Sequence, residues 1–153
     1  MTENGFEAYA VGGCIRDTIL GSEPKDWDVC TSALPQQVIK CFEGNRIIET
    51  GLQHGTITLM LNDKHFETTT YRADGEYSDN RRPGSVKFID NLKEDLSRRD
   101  FTINAMAYNP RIGLADFFGG VLDIENKLIR CVGNRFGYGQ TRYKARHLNP
   151  CRT

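Results

Sequence analysis

Residues 12–17 read GGCIRD, and they follow directly on the apolar run YAV at residues 9–11. The apolar run predicts a short strand, and residues 15–20 predict a helical turn. A strand, a glycine pair and a helix start direct backbone N–H groups toward one point, which favours a bound anion. Gly12 and Gly13 would let the backbone approach a phosphate chain closely. As a bare pattern, such a pair is also typical of an ordinary turn.

Charged side chains accompany the two glycines. Arg16 can neutralise a phosphate group. Residues 25–30 alternate as a strand does, so Asp26 and Asp28 are expected to share one face while Trp27 points to the core. Two carboxylates on one face repel each other unless a cation lies between them, and Mg²⁺ prefers such oxygen ligands. The alternative is a solvated edge strand with two aspartates that have no role.

Two later motifs complete a family pattern. Residues 98–107 read RRDFTINAMA, and a second glycine pair occupies residues 119–120. Taken in order, the motifs resemble the catalytic head of the class II tRNA nucleotidyltransferases, which are the CCA-adding enzymes and their relatives, the bacterial poly(A) polymerases. The resemblance runs from about residue 9 to residue 134. It implies an α/β (α+β) head of the polymerase-β type, with a mixed sheet of about five strands and helices packed on one side.

The resemblance also implies the roles of individual residues. Asp26 and Asp28 would be catalytic and would hold two Mg²⁺ ions, with Glu67 of the FETTTYR run as a third acidic residue. The implied nucleotide-binding residues are Gly12, Gly13, Arg16, Arg98, Arg99, Asp100 and Asn104. Two alternatives remain open: Glu67 as a strand residue paired with a lysine or threonine, and Asp100 as a helix cap beside surface arginines.

Composition sets limits on the interpretation. The 153 residues suit one domain, and 20 Lys+Arg balance 20 Asp+Glu, so net charge does not indicate a nucleic-acid partner. The five cysteines are scattered and indicate free thiols in a reducing compartment. Neither a leader nor an apolar run of membrane length is found, so a soluble cytoplasmic protein without membrane contact is expected.

Between the motifs, local patterns predict further elements. Thr31 and Ser32 are expected to cap a helix, and residues 55–61 and 65–71 are expected to form a hairpin. The apolar positions of residues 103–107 suit a packed helix, and residues 127–132 suit a final strand.

Three other features lie outside these motifs and elements. His54 lies in a glycine-flanked loop and is interpreted as structural or as a phosphate neighbour, not as a general base. Residues 73–85 read as a long loop, either touching RNA or nucleotide or simply solvated. Residues 116–123 resemble the family's hinge, where two glycines would allow a bend.

The final residues depart from the family. Residues 1–134 are predicted to be the head domain, whereas residues 135–153 lack the Glu-Asp-x-x-Arg motif that opens the family's helical neck. A frameshift or premature end is expected to have left a disordered tail, although basic residues interleaved with tyrosines would also suit RNA.

The function implied by the resemblance is transfer of CMP and AMP from CTP and ATP to a tRNA 3′ end. The alternatives are a poly(A) polymerase head and a nucleotide- or RNA-binding remnant without turnover.

Overall fold

The computed structural model describes residues 1–49, 51–73, 86–133 and 142–144. The chain forms two compact units. The first unit combines Met1–Tyr9 with Asp28–Arg98, and the second combines Ala10–Trp27 with Arg99–Thr153. Each unit therefore joins segments that are distant in sequence.

Strands dominate the described residues. The strands are β1 Ala8–Val11, β2 Trp27–Thr31, β3 Arg46–Ile48, β4 Thr56–Leu61, β5 Lys64–Thr70, β6 Arg72–Ala73, β7 Lys87–Phe88, β8 Ala107–Asn109, β9 Gly113–Ala115, β10 Leu128–Arg130 and β11 Arg142–Lys144. The helices are α1 Gly13–Ile19, α2 Pro35–Cys41, α3 Leu92–Ser97 and α4 Gly120–Glu125, with 3₁₀ turns at Thr2–Asn4, Leu52–His54 and Thr102–Asn104.

The main sheet has seven strands in the order β3-β4-β5-β2-β1-β8-β9, and β6–β7 and β10–β11 form two separate pairs. The α/β class with a mixed sheet is confirmed. The predicted count of about five strands is wrong, because the short β8–β9 hairpin was not foreseen.

The first unit is built on an antiparallel meander of β3, β4 and β5. Asn62 and Asp63 connect β4 to β5 with positive φ angles of 50° and 61°, the backbone that a two-residue hairpin turn requires. The predicted hairpin is therefore confirmed. Ile57 and Leu59 of β4 point to one side and form a buried cluster with Ala33 and Val38.

The predicted cap of α2 is wrong. Thr31 is a buried residue of β2, and its hydroxyl donates to the Glu7 carbonyl at 2.5 Å. The Ser32 hydroxyl accepts from the Glu7 backbone N–H at 2.9 Å. Instead, α2 begins at Pro35, which needs no N–H partner in the first turn, and the Gln37 side chain accepts from the N–H of Leu34.

The second unit packs around Cys14, Ile15, Ile103, Met106 and Ile124. Trp27 lies against this cluster, as its strand position predicted. The strand itself begins at Trp27 rather than two residues earlier. Asp26 therefore precedes β2 and is exposed, so the strand does not include it, and the shared face of Asp26 and Asp28 stays a prediction.

The helix predicted at residues 103–107 is also absent. After one 3₁₀ turn the chain enters β8, where Ala107 pairs with Val11 of β1. Ala107 and Asn109 are buried whereas Tyr108 is exposed, which is the period-two alternation of a strand. Pairing with β1 supplies the backbone partners that a helix would otherwise have provided, so tertiary context overrides the apolar pattern.

The predicted final strand is confirmed as β10, which pairs with β11 at Arg142–Lys144. Apart from that strand, the predicted disordered tail of residues 135–153 lies outside the described residues, as do residues 74–85 of the predicted loop. Within the described part of the chain, no helix has the length and apolarity needed to cross a bilayer.

Candidate active site

The glycine pair lies at the junction of β1 and α1, as predicted. Gly12 follows the last residue of β1 and is the N-cap of α1, with φ 84° and ψ −132°. Its N–H donates to the carbonyl of Met106 at 3.1 Å. A side chain rarely adopts this backbone, so glycine is required here by conformation.

The two glycines differ in what surrounds them. A Cβ on Gly12 would lie 2.9 Å from Nη1 of Arg99, which is closer than real Cβ atoms approach a neighbour. A Cβ on Gly13 would lie 3.6 Å from Nη2 of Arg16, an ordinary contact. Of the two glycines in this pair, Gly12 is the one whose positive φ is combined with a guanidinium group in the space of a Cβ.

Arg16 is held by two acceptors. Its Nη1 donates to Oδ1 of Asn104 at 2.7 Å, and its Nε donates to Oδ1 of Asp17 at 2.9 Å. The Arg16 side chain keeps 28% of its surface exposed, so it is oriented yet accessible to a ligand. Asp17 was not assigned a role from the sequence, although its place directly after Arg16 in the motif was a usable signal.

Arg99 completes a pair of guanidinium groups beside the glycines. Its Nε is buried and has no hydrogen-bond partner among the described residues. A buried N–H without an acceptor is costly, and an anionic oxygen would satisfy it. Planar guanidinium groups bind phosphate oxygens with good geometry. The surroundings of Gly12 therefore suit a phosphate chain.

The neighbouring residues Arg98 and Asp100 have different surroundings from Arg99. Arg98 is the C-cap of α3, and its Nε donates to Oδ1 of Asp95 at 3.0 Å in the first unit. Asp95 is fully buried and also accepts from the backbone N–H of Arg72 at 3.1 Å. Asp95 was given no role from the sequence.

Asp100 is exposed, and it does not begin a helix. The following 3₁₀ turn has Phe101 as its N-cap and no side-chain cap, so the helix-cap interpretation of Asp100 is wrong. Its nucleotide-binding role stays a prediction. His54 is exposed at the end of a 3₁₀ turn, and its carbonyl accepts from Arg72 at 2.6 Å.

The three predicted acidic residues differ in burial and in the element that carries them. Asp26 is exposed before β2, Asp28 is partly buried on β2, and Glu67 is exposed on β5 opposite Thr58. Over the described ranges there is no group of three or more histidine, cysteine, aspartate or glutamate side chains that could hold a metal ion. The assignment of two metal ions to these carboxylates stays a prediction.

Comparison with known proteins adds an independent result. Residues 8–130 match the family described as the Poly A polymerase head domain. The CCA-adding enzyme of Oceanobacillus iheyensis is 48% identical over 134 residues, which cover 88% of this chain and 33% of that protein. The CCA-adding enzyme of Lactiplantibacillus plantarum is 48% identical over 129 residues, covering 84% of this chain and 31% of that protein.

Solved structures agree with the sequence matches. The Bacillus stearothermophilus CCA-adding enzyme in complex with CTP aligns with a TM-score of 0.76 at 41% identity, over 87% of this chain and 31% of that one. A tRNA nucleotidyltransferase complexed with a primer tRNA and an incoming ATP analog aligns with a TM-score of 0.68 at 34% identity, over 86% of this chain and 37% of that one.

The chain thus spans about a third of the length of the curated relatives that it matches. The match covers the turn at Gly12 and Gly13, called here the glycine turn, together with Arg16, Arg99 and Asn104. All of these residues belong to the second unit. On this family match, the chain belongs to the poly(A) polymerase head domain family.

Proposed function

We propose that this chain is the nucleotidyltransferase head of a CCA-adding enzyme, transferring CMP and AMP from CTP and ATP to the 3′ end of a tRNA. The observation that carries the proposal is the turn at Gly12, where the Arg99 guanidinium occupies the space that a Cβ would take and Asn104 orients Arg16. Relatives described as CCA-adding enzymes, one of them in complex with CTP, support the same assignment.

The triphosphate would bind at the glycine turn. Gly12 leaves room for the phosphate chain, and Arg16 and Arg99 supply its positive partners. Asn104 uses Oδ1 to hold Arg16, which leaves its amide N–H groups as donors for a ribose hydroxyl or a phosphate. Arg98 and Asp100 would complete the pocket as the family resemblance implies.

The carboxylates would hold the metal. The donor chemistry fits Mg²⁺, which is bound in phosphate-transfer sites by one or two carboxylates together with substrate oxygens and water. Asp26 and Asp28 are separated by one residue, and Glu67 would assist them. When bound, Mg²⁺ supplies charge neutralisation at the triphosphate and activation of the attacking 3′ hydroxyl.

Two other functions use the same residues. A poly(A) polymerase head would share the glycine turn and both arginines, and it would differ in using ATP alone. A nucleotide- or RNA-binding remnant would keep the phosphate contacts without turnover. The family match covers all three cases, whereas the relatives described as CCA-adding enzymes favour the first.

The test is a primer-extension assay on the 153-residue chain. The chain is incubated with Mg²⁺, labelled CTP or ATP, and tRNA that lacks its 3′ CCA. The proposal expects both labels to enter the tRNA and expects Asp26→Asn to stop incorporation. Incorporation of ATP alone would indicate a poly(A) polymerase. Nucleotide binding without extension would indicate the remnant, and absence of nucleotide binding would contradict all three.

A further inference from the structure

A buried carboxylate in the second unit has no part in the function proposed so far. Asp123 of α4 is only 4% exposed. Its Oδ2 accepts the hydroxyl of Thr102 at 2.5 Å and the Nε of Arg130 at 2.9 Å. Arg130 is fixed in turn, because its Nη2 donates to the carbonyl of Phe118 at 2.7 Å. The charge of Asp123 is thus paired, and its second bond goes to Thr102.

The start of α4 also packs tightly on the Thr102 turn. A Cβ on Gly120 would clash with the carbonyl oxygen of Thr102 and would lie 2.9 Å from Sδ of Met106. The carboxylate of Asp116 accepts the N–H groups of Gly120 and Val121 at 2.8 and 2.9 Å, which fixes this end of the helix. Gly120 thus permits a close contact between α4 and the turn, in addition to any bend.

The same turn carries contacts that shape the phosphate pocket. Thr102 begins the 3₁₀ turn that ends at Asn104, whose Oδ1 holds Arg16. Two residues further on, the carbonyl of Met106 accepts the N–H of Gly12. The segment of residues 102–106 therefore lies between α4 on one side and the glycine turn on the other.

We propose that Asp123 is a positioning residue for nucleotide binding: through Thr102 it fixes the 3₁₀ turn so that Asn104 orients Arg16. The proposal rests on the proposed function for the identity of the ligand. Its physical basis is that a charge-assisted bond is stronger than a neutral one and fixes both partners in one geometry. Thr102 is 1% exposed, so water cannot replace the carboxylate if the bond is removed.

The test compares Thr102→Val with Thr102→Ser in the full chain. Valine keeps the branched shape and removes the hydroxyl, whereas serine keeps the hydroxyl and removes the methyl group. One readout is the dissociation constant for CTP with Mg²⁺ by calorimetry. A second is the Arg16 Nε–H signal in ¹⁵N NMR spectra without ligand, assigned with Arg16→Lys. Thermal unfolding shows which variants are folded.

We expect Thr102→Val to weaken CTP binding about tenfold and to shift the Arg16 signal toward that of a free guanidinium group. Thr102→Ser should stay close to wild type in both measurements. An unchanged Arg16 signal in Thr102→Val, or equal losses in the two variants, would overturn the positioning role. If the wild-type chain binds no CTP, the proposed function fails, and the NMR comparison still decides the role of Asp123.

Discussion

Replacing Gly12 by alanine tests the structural basis of the phosphate pocket most directly. The backbone at Gly12, with φ 84°, is unfavourable for any residue that carries a Cβ. The new Cβ would lie 2.9 Å from Nη1 of Arg99, so the guanidinium group has to move. The substitution therefore perturbs both the stability of the turn and one of its two cationic groups.

The two effects have different sizes and different readouts. A residue held in a sparsely populated backbone region costs about 1–3 kcal/mol. In a chain of this length, that corresponds to a fall of about 2–12 °C in the midpoint of thermal unfolding. Loss of a hydrogen bond from a charged group costs about 1.5–3 kcal/mol, which would weaken CTP binding by about 10- to 100-fold.

Two other glycines serve as matched controls. Gly21 also has a positive φ of 74°, yet a Cβ there would meet nothing within 4 Å. Gly21→Ala should therefore lower the melting temperature without weakening CTP binding. Gly13→Ala introduces only an ordinary contact at 3.6 Å and should leave the melting temperature unchanged. The measurements are differential scanning calorimetry and titration with CTP and Mg²⁺.

The reasoning would be refuted by either of two results. The first is wild-type affinity for CTP in Gly12→Ala, which would mean that the contact with Arg99 does not affect the ligand. The second is an equal loss of affinity in Gly21→Ala, which would mean that general destabilisation accounts for the effect.

Three further predictions follow from other parts of the chain. Asp26→Asn or Asp28→Asn should abolish nucleotide transfer with unchanged circular dichroism, and full activity in either variant would contradict the metal assignment. Asp95→Ala should lower the free energy of unfolding in urea by about 3–5 kcal/mol, because it leaves Arg98 without its buried partner; a loss below about 1 kcal/mol would contradict this. Burial, helped by the nearby Glu7, raises the pKa of Tyr71 above its ordinary 10.0. Above about pH 10 the unfolded chain therefore releases a proton that the folded chain keeps, and the free energy of unfolding falls as the pH rises. Tyr71→Phe should remove this alkaline loss above about pH 10, and an unchanged slope in urea unfolding would exclude Tyr71 as its cause.

The elements predicted correctly from the sequence are those with a local cause. The turn at Asn62 and Asp63 needs two residues that tolerate positive φ, and the alternating strands on either side set its register. The glycine pair between an apolar strand and a helix start is equally local. In each case, neighbours within a few positions decide the conformation, so the pattern is visible in the printed sequence.

Predictions that depend on distant partners were less successful. Residues 103–107 carry an apolar pattern compatible with a helix, and pairing of Ala107 with Val11 makes the last of them a strand instead. Asp95 and Asp123 look like surface acids in the sequence, although burial makes each one the partner of an arginine. Local propensity does not predict the conformation or burial of a residue when a neighbouring strand pairs with its backbone or an arginine pairs with its side chain.

The sequence by itself determined which residue types are available for phosphate chemistry and where the chain turns sharply. Only the tertiary structure decided which of them meet: Arg16 bonds to Asn104, 88 positions away, Nη1 of Arg99 lies 2.9 Å from where a Cβ on Gly12 would be, and Arg98 bonds to Asp95. The physical reason is that a hydrogen bond or a close approach depends on distances that packing imposes. Residues adjacent in sequence, such as these two arginines, can therefore end in different surroundings.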